Sequence, residues 1–397
     1  MKFVELREVA EFIRGITYKP DELVENFSEN SVVCMRTANV QKTLDESNLL
    51  SVPAELIKND QKYLLEGDIL VSTANSWNLV GKCSWVHNLG YKATAGGFIA
   101  ILRAKTEFIN SRYLYHWFNS ESIQIQARNC GRQTTNISNM DIDRCLSINI
   151  FLPPLEEQRR IASILDKADA IRQKRQQAIV KLDELLQAKF IDMFGDPVSN
   201  PKGWKFKSLK EFGTFKNGLN YGKGESGVTR KYIGVGNFKN FSKLDDIDSL
   251  GSIELNQEPS QDYFLKDGDL LFVRSNGNKE LVGRCIAVYP RNELVTYSGF
   301  CIRYRIEKEG LTPEFISHLF KSESFRSSIL KAGQGANIQN INQQSLGELK
   351  IPVPSEDLLA KWSSILHQVE KQKTLYSKEL EHSLFTSLQQ KSFNGTL

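Results

Sequence analysis

EEQRRIASIL, residues 156–165, follows the double proline 153–154 by one residue, and EDLLAKWSSIL, residues 356–366, follows Pro354 by one residue near the far end of the chain. Proline lacks an N–H and has a fixed φ, so it suits the first turn of a helix and breaks the interior of one. Each stretch is therefore a helix start. From Leu155 to Phe194 there is neither glycine nor proline, and Gly195 and Pro197 then close the segment. Apolar residues recur in it at Ile161, Ile164, Leu165, Ala168, Ile171, Ile179, Leu182, Leu185, Leu186, Met193 and Phe194. Steps of three and four put them on one stripe. The second stretch repeats the pattern with Leu358, Trp362, Ile365, Leu366, Val369, Tyr376, Leu380, Leu384 and Leu388, and runs toward Gly395.

Forty residues at about 1.5 Å each make a rod of about 60 Å, longer than one small domain can cover. The obvious cover is the other helix, paired antiparallel through Ile161, Leu165, Ala168, Ile179, Leu182 and Leu186 against Trp362, Ile365, Leu366, Val369, Leu380 and Leu384. A long helix could instead grip DNA. Residues 155–194, however, carry eight basic and seven acidic side chains, a net of +1, which is poor for phosphate binding. A spacer and protein-docking surface is the better reading, with RQKRQQ (172–177) as the one backbone-touching candidate.

Outward from the helices the chain duplicates itself. EGDILVS (66–72) matches DGDLLFV (267–273), LVGKC (79–83) matches LVGRC (281–285), and TAGGFIAILRA (94–104) matches TYSGFCIRYRI (296–306). Asn136-Ile137 and IASIL (161–165) find Asn337-Ile338 and WSSIL (362–366) at the same shift of 201 to 202 residues. Matches in one order at one spacing mean duplication, so each unit is a globular domain followed by a helix. Within it, 68–73, 97–103, 270–274 and 299–306 read as strands, and 111–128 and 313–332 as amphipathic helices. The expected fold is α+β: two tandem globular domains and two long antiparallel coiled-coil helices, an internal repeat with pseudo-two-fold symmetry. The expected boundaries are 1–152, 153–196, 197–352 and 353–397.

At 397 residues, with 40% hydrophobic and 25% charged, the chain can bury two cores, and no run approaches the 18 or so apolar residues of a membrane span. MKFVELREVAEF is too charged for a signal peptide, which points to the cytoplasm. Six scattered cysteines without a CxxC pair read as buried thiols. A charge of +4 permits an anionic partner without requiring one. No Asn/Asp-Pro-Pro-aromatic loop, Walker ending, HExxH or metal-spaced histidine pair occurs, so the residues offer no active site.

The order of domain, PLEEQRRIASILDKADAIRQKRQQAIVKLDELLQAKFIDMFGDP, domain, PSEDLLAKWSSIL…SLQQKSFNG resembles the specificity subunit of type I restriction-modification enzymes over the whole chain. LPPLEEQRRIASILDKAD, LLQAKFIDMFGDP and the TTNIS and ANIQN turns are its most specific parts. The resemblance implies two target recognition domains, each reading half of a bipartite double-stranded DNA site, separated by helices that set the gap. It also implies docking of two methyltransferase subunits and of restriction-motor subunits. The chain itself would be non-catalytic and without cofactor, with S-adenosylmethionine, ATP and magnesium on those partners. The second helix start has lost the Glu-Gln-Arg signature, a departure that concerns docking there. Two readings remain beside this one: a component of a related fused restriction-modification system, and a coiled-coil adaptor that binds only proteins.

Bases are read by Arg, Lys, Asn, Gln, Ser and Thr, and phosphates by Arg, Lys and backbone donors. Three segments per half combine these types. In the first half they hold Arg36, Thr37, Asn39 and Gln41; Ser72, Asn75, Trp77 and Asn78; and Arg128, Arg132, Gln133 and Thr134. In the second they hold Asn237 and Lys239; Arg274, Asn276, Asn278 and Lys279; and Lys331, Gln334 and Gln339. Asn136 and Asn337, common to both halves, read as turn formers.

Overall fold

The central helix spans Leu155–Phe194, and the second long helical stretch forms Glu356–Glu381 and Leu384–Phe393. The computed structural model describes residues 2–133, 138–222, 224–238, 243–332, 341–381 and 384–393. Two compact units result, one made of Met1–Arg175 with Glu379–Leu397 and the other of Gln176–Lys378. Each unit thus contains a globular body and pieces of both helical stretches.

In the first unit a four-stranded antiparallel sheet runs in the order Ala10–Arg14, Ile99–Ala104, Ile69–Ser72, Cys83–Trp85. A three-stranded sheet of Ser51–Pro53, Ser31–Met35 and Ala93–Ala95 lies beside it in the topology, its last pair parallel. Lys2–Glu5 pairs with Asn149–Leu152, so the body closes on itself just before the prolines. The second unit repeats this. Gly213–Asn217, Cys301–Ile306, Asp269–Val273, Cys285–Val288 and the short Lys243–Leu244 make one sheet. Ser252–Leu255, Val228–Ile233 and Val295–Tyr297 make the second, and Lys205–Ser208 pairs with Lys350–Val353.

The strands read from sequence are present to within a residue or two, whereas each amphipathic helix is broken in two. Ser111–Phe118 is followed by Glu121–Asn129, and Pro313–Leu319 by Glu323–Ala332. At both breaks a serine turns its hydroxyl back onto the helix it ends: Ser120 donates to the Trp117 carbonyl at 2.7 Å and Ser322 to the Leu319 carbonyl at 2.8 Å. Short polar side chains that bond nearby backbone compete with helix continuation, and a one-period reading overlooks them.

The repeated aspartate of EGDIL and DGDLL has a structural role in each unit. Asp68 takes two bonds from the Arg103 guanidinium, at 2.8 and 2.7 Å, and Asp269 takes two from Arg305, both at 2.7 Å. Both aspartates are buried, and each also accepts the backbone N–H three residues upstream. These hydrogen bonds raise both guanidinium pKa values above the usual arginine range.

Helix ends, more than helix middles, supply buried surface. Ile161, Ala162 and Leu165 belong to the core of the first unit, against which Phe385, Leu388 and Phe393 also pack. Leu186, Phe190, Phe194, Leu359, Trp362 and Leu366 belong to the core of the second. There the two helical segments run antiparallel: Phe190 meets Trp362 at 5.4 Å between ring centroids, while Asp183, earlier on one helix, bonds Lys373, later on the other, at 2.9 Å. Ala168, Ile179, Leu182, Ile365 and Val369 are half-buried, whereas Ile171, Val180, Leu185 and Leu375 on the same stretches are exposed. Leu380 and Leu384 lie on the helical backbone.

The glutamine of the EEQRR signature is a clamp. Gln158 is fully buried; its Oε1 accepts from Asn110 N at 2.7 Å, and its Nε2 donates to the Phe108 and Pro153 carbonyls. It therefore ties the helix start to the loop that caps helix 111–118, where Asn110 is the N-cap residue. Leu359 takes the corresponding place in the second unit and is buried in its core. Gln158→Ala strands buried backbone groups and is expected to cost the first unit about 1–3 kcal/mol, read as a lower urea midpoint at constant slope.

Candidate nucleic-acid interface

In the first unit the topology brings the second and third polar segments into one small sheet. Ala74–Asn75 pairs with Ser138–Asn139, which pairs with Arg132–Gln133, and Met140 N donates to the Thr73 carbonyl at 2.8 Å. Trp77 is 42% exposed, and the Arg128 guanidinium lies 5.6 Å from its ring centroid, close enough for a cation–π contact. Asn78 is exposed and Asn75 half-buried. Thr134, like Asn136 and Ile137, lies outside the described residues.

The first segment is stitched to the same rim through the turn 96–99. Gly96 N donates to the Met35 carbonyl at 2.8 Å, and Thr73 N donates to the Phe98 carbonyl at 2.9 Å. Arg36 and Thr37 are half-buried there, with Arg36 Nη2 donating to the Asn48 carbonyl at 3.1 Å. Asn39 is different: it is buried, donates to the Asp45 and Asn48 carbonyls, and accepts from Arg36 N. Ser72 is also buried and accepts from Asn75 Nδ2. Both shape the rim from within, a role that residue type alone does not separate from base contact.

The second unit builds the same arrangement. Ser298 N donates to the Ile233 carbonyl at 3.0 Å, Arg274 N to the Phe300 carbonyl at 2.8 Å, and Ile341 N to the Arg274 carbonyl at 2.8 Å. Asn237 is half-buried, with its Oδ1 accepting from Gly234 N. Arg274 and Asn276 are half-buried and Asn278 is exposed, the two asparagines also holding the loop by accepting the N–H groups of Asn278 and Glu280. Lys279 sits in the turn Lys279–Leu281 and Lys331 on the helix Glu323–Ala332. Lys239, Gln334 and Gln339, with Asn337 and Ile338, lie outside the described residues.

Sequence reasoning passed over two pairs at this rim, although both sit inside the strings that revealed the repeat. Lys82 and Arg284 occupy the same place in LVGKC and LVGRC; Lys82 Nζ bonds Gln41 Oε1, and Arg284 Nη1 donates to the Phe238 carbonyl. Phe98 and Phe300 are the others, 67% and 63% exposed.

Two histidines, His116 and His318, serve packing. His116 is buried and bonds Asp166 at 2.7 Å, beside Arg112 on the same carboxylate. His318 lies among Phe190, Trp362 and the Glu314 carbonyl, and burial pushes its pKa down to about 3, so it is neutral. All six cysteines are free and buried. Among the described residues, no helix is long and apolar enough to cross a membrane.

Two copies of one scaffold, each presenting a polar rim of loops and each seated on helix ends, define a duplicated recognition module. The chain belongs to the type I restriction-modification family: the pattern described as Type I restriction modification DNA specificity domain matches twice, over residues 1–181 and 201–383. Its sequence is 27% identical over 339 residues to the type I restriction enzyme EcoKI specificity subunit of Escherichia coli (strain K12), covering 81% of this chain and 71% of that one. It is 25% identical over 415 residues to the StySPI specificity subunit of Salmonella potsdam, covering 98% and 87%. The crystal structure of the type I restriction-modification S subunit from M. genitalium aligns over 99% of this chain and 96% of that one, with a TM-score of 0.54 at 16% identity, a likeness of fold. This is a DNA sequence-specificity subunit, not a catalytic one.

Proposed function

We propose that the two units read the two halves of one bipartite, asymmetric DNA site, and that the chain positions two methyltransferase subunits and the restriction-motor subunits on it in the cytoplasm. The observation that carries this reading is a duplicated scaffold with unlike rims. Trp77 and Arg128 mark one rim, Arg274, Asn276 and Asn278 the other, and a protein that meets different base edges in each half needs that difference. In the first unit Arg36, Thr37, Asn75, Trp77, Asn78, Arg128, Arg132, Gln133 and Thr134 are the proposed contacts. In the second they are Asn237, Lys239, Arg274, Asn276, Asn278 and Lys279, with Lys331, Gln334 and Gln339. Asn39 and Ser72 hold the loops. Half-site centres on the order of 10–16 base pairs apart suit recognition of two successive major-groove faces. The exposed apolar residues Ile171, Val180 and Leu185 suit docking of the methyltransferase subunits.

The deciding experiment is a single-molecule methylome of a methylation-free host that expresses this chain with its methyltransferase. An interrupted, asymmetric adenine-methylated motif that vanishes when the chain is omitted is the expected result. A stable complex that adds no motif would instead favour a protein-only adaptor, whose preparations would also lack the steep loss of DNA affinity between about 50 and 200 mM salt that several phosphate contacts produce.

A further inference from the structure

Phe98 and Phe300 occupy the same turn of the two repeats. In the first unit Ile99 N closes the turn onto the Gly96 carbonyl at 2.9 Å, and in the second Cys301 N closes it onto the Ser298 carbonyl at 2.8 Å. The residues that follow, Ile99 and Cys301, are buried, while the phenylalanines are 67% and 63% exposed. The turns are held rigidly from below. A Cβ on Gly15 would meet the Gly96 carbonyl oxygen at 2.2 Å, and one on Gly218 would meet that of Ser298 at 2.2 Å, so only glycine allows the neighbouring strand to approach.

A single exposed aromatic residue needs no explanation. Two of them on one rigid turn, in two domains whose adjoining polar loops differ, have a common task. That task lies at the rim, because the turn bonds the strand ends that lead into two of the proposed reading segments. It bonds Met35 and Thr73 in the first unit and Ile233 and Arg274 in the second. What both halves share there, whatever bases they read, is the duplex itself.

We propose that Phe98 and Phe300 make the sequence-independent apolar contact of each half with duplex DNA, lying against deoxyribose or wedged at a base step beside the reading loops. Phenylalanine is one of the side chains that proteins insert in this way, and a neutral ring adds affinity without adding a phosphate contact. The contact rests on the DNA-reading function above and adds to it a positioning element common to both heads. It accounts for how unlike rims can engage DNA at a common depth.

The test uses the assembled complex with its methyltransferase subunits, wild type beside Phe98→Ala, Phe300→Ala, the double variant and the corresponding Leu variants. Binding is titrated on a duplex carrying the methylated motif and on a scrambled duplex. Each Ala variant should lose several-fold affinity, and the double variant tenfold or more, on both duplexes alike. The salt slope, melting temperature and co-migration with the methyltransferase should stay unchanged, and Leu should restore part of the loss. Affinities within twofold of wild type would overturn the proposal. So would lost co-migration, which would assign the rings to the methyltransferase, or a loss confined to one base pair, which would make them readers. A wild-type complex that prefers no motif would bring down the DNA-reading function itself, and the proposal with it.

Discussion

Trp362→Ala is expected to destabilise the second unit by roughly 3–5 kcal/mol, the range for truncating a fully buried aromatic side chain whose cavity cannot collapse. Trp362 is completely buried among Phe190, Phe194 and His318, at 5.4, 6.0 and 5.0 Å between ring centroids, and its Nε1 donates to the Glu314 carbonyl at 3.4 Å. Those partners come from the end of the central helix and from helix 313–319, so one indole joins both helical stretches to the globular body. Removing it should therefore do more than soften a core. Amide exchange should rise in residues 176–194 and 356–378 together, while protection in the first unit is the internal control. Trp362→Ile, the residue that the other repeat carries at Ile161, should recover part of the loss. Exchange that rises only around residue 362 would show that the cluster is not the joint.

The aromatic joint also shows what the sequence could and could not announce. The repeat, both helix starts and the four main strands were legible because they depend on local chemistry: proline before a helix, glycine before a strand, and periodicity in between. The stripe of apolar residues was legible too, but its partner was not. Ile161, Leu165, Leu186, Trp362 and Leu366 bury themselves in the cores of the two units, whereas Ile171 and Leu185, on the same stripe, stay exposed. Spacing tells which residues share a face, and only the tertiary fold tells what covers it. At the rim the limit is similar. Asn39 and Asn78 are the same residue type in equally polar segments, yet one is buried with its amide engaged and the other exposed. Phe98 and Phe300 were inside the matched strings, but an aromatic residue beside strand-forming neighbours reads as core until its turn is seen.

Asp269→Ala should be nearly as damaging, at about 3–5 kcal/mol, because it leaves the Arg305 charge partly buried and without its carboxylate. Only the Phe264 carbonyl would remain to it among the bonds described, and Lys266 N would lose its acceptor as well. A loss of this size follows from breaking a buried pair, not from the pair's net worth. The double variant Asp269→Leu/Arg305→Met should therefore cost much less than Asp269→Ala alone. Equal or larger losses in the double variant would mean that packing at this site, not the uncompensated charge, sets the cost. The consequence reaches the rim through strand register. Asp269 opens strand 269–273 and Arg305 lies near the end of strand 301–306, which pair Leu270 with Tyr304 and Val273 with Cys301. At the opposite end of the same two strands stand Arg274 and Phe300, joined by their own backbone bond. A one-residue slip would turn every side chain of a strand to the other face. The pair thus helps hold the register that presents the proposed reading loop, and Asp68 with Arg103 does so for the first unit. In the assembled complex, Asp269→Ala should accordingly weaken DNA binding at temperatures where the chain is still folded, with the second half-site losing discrimination before the first.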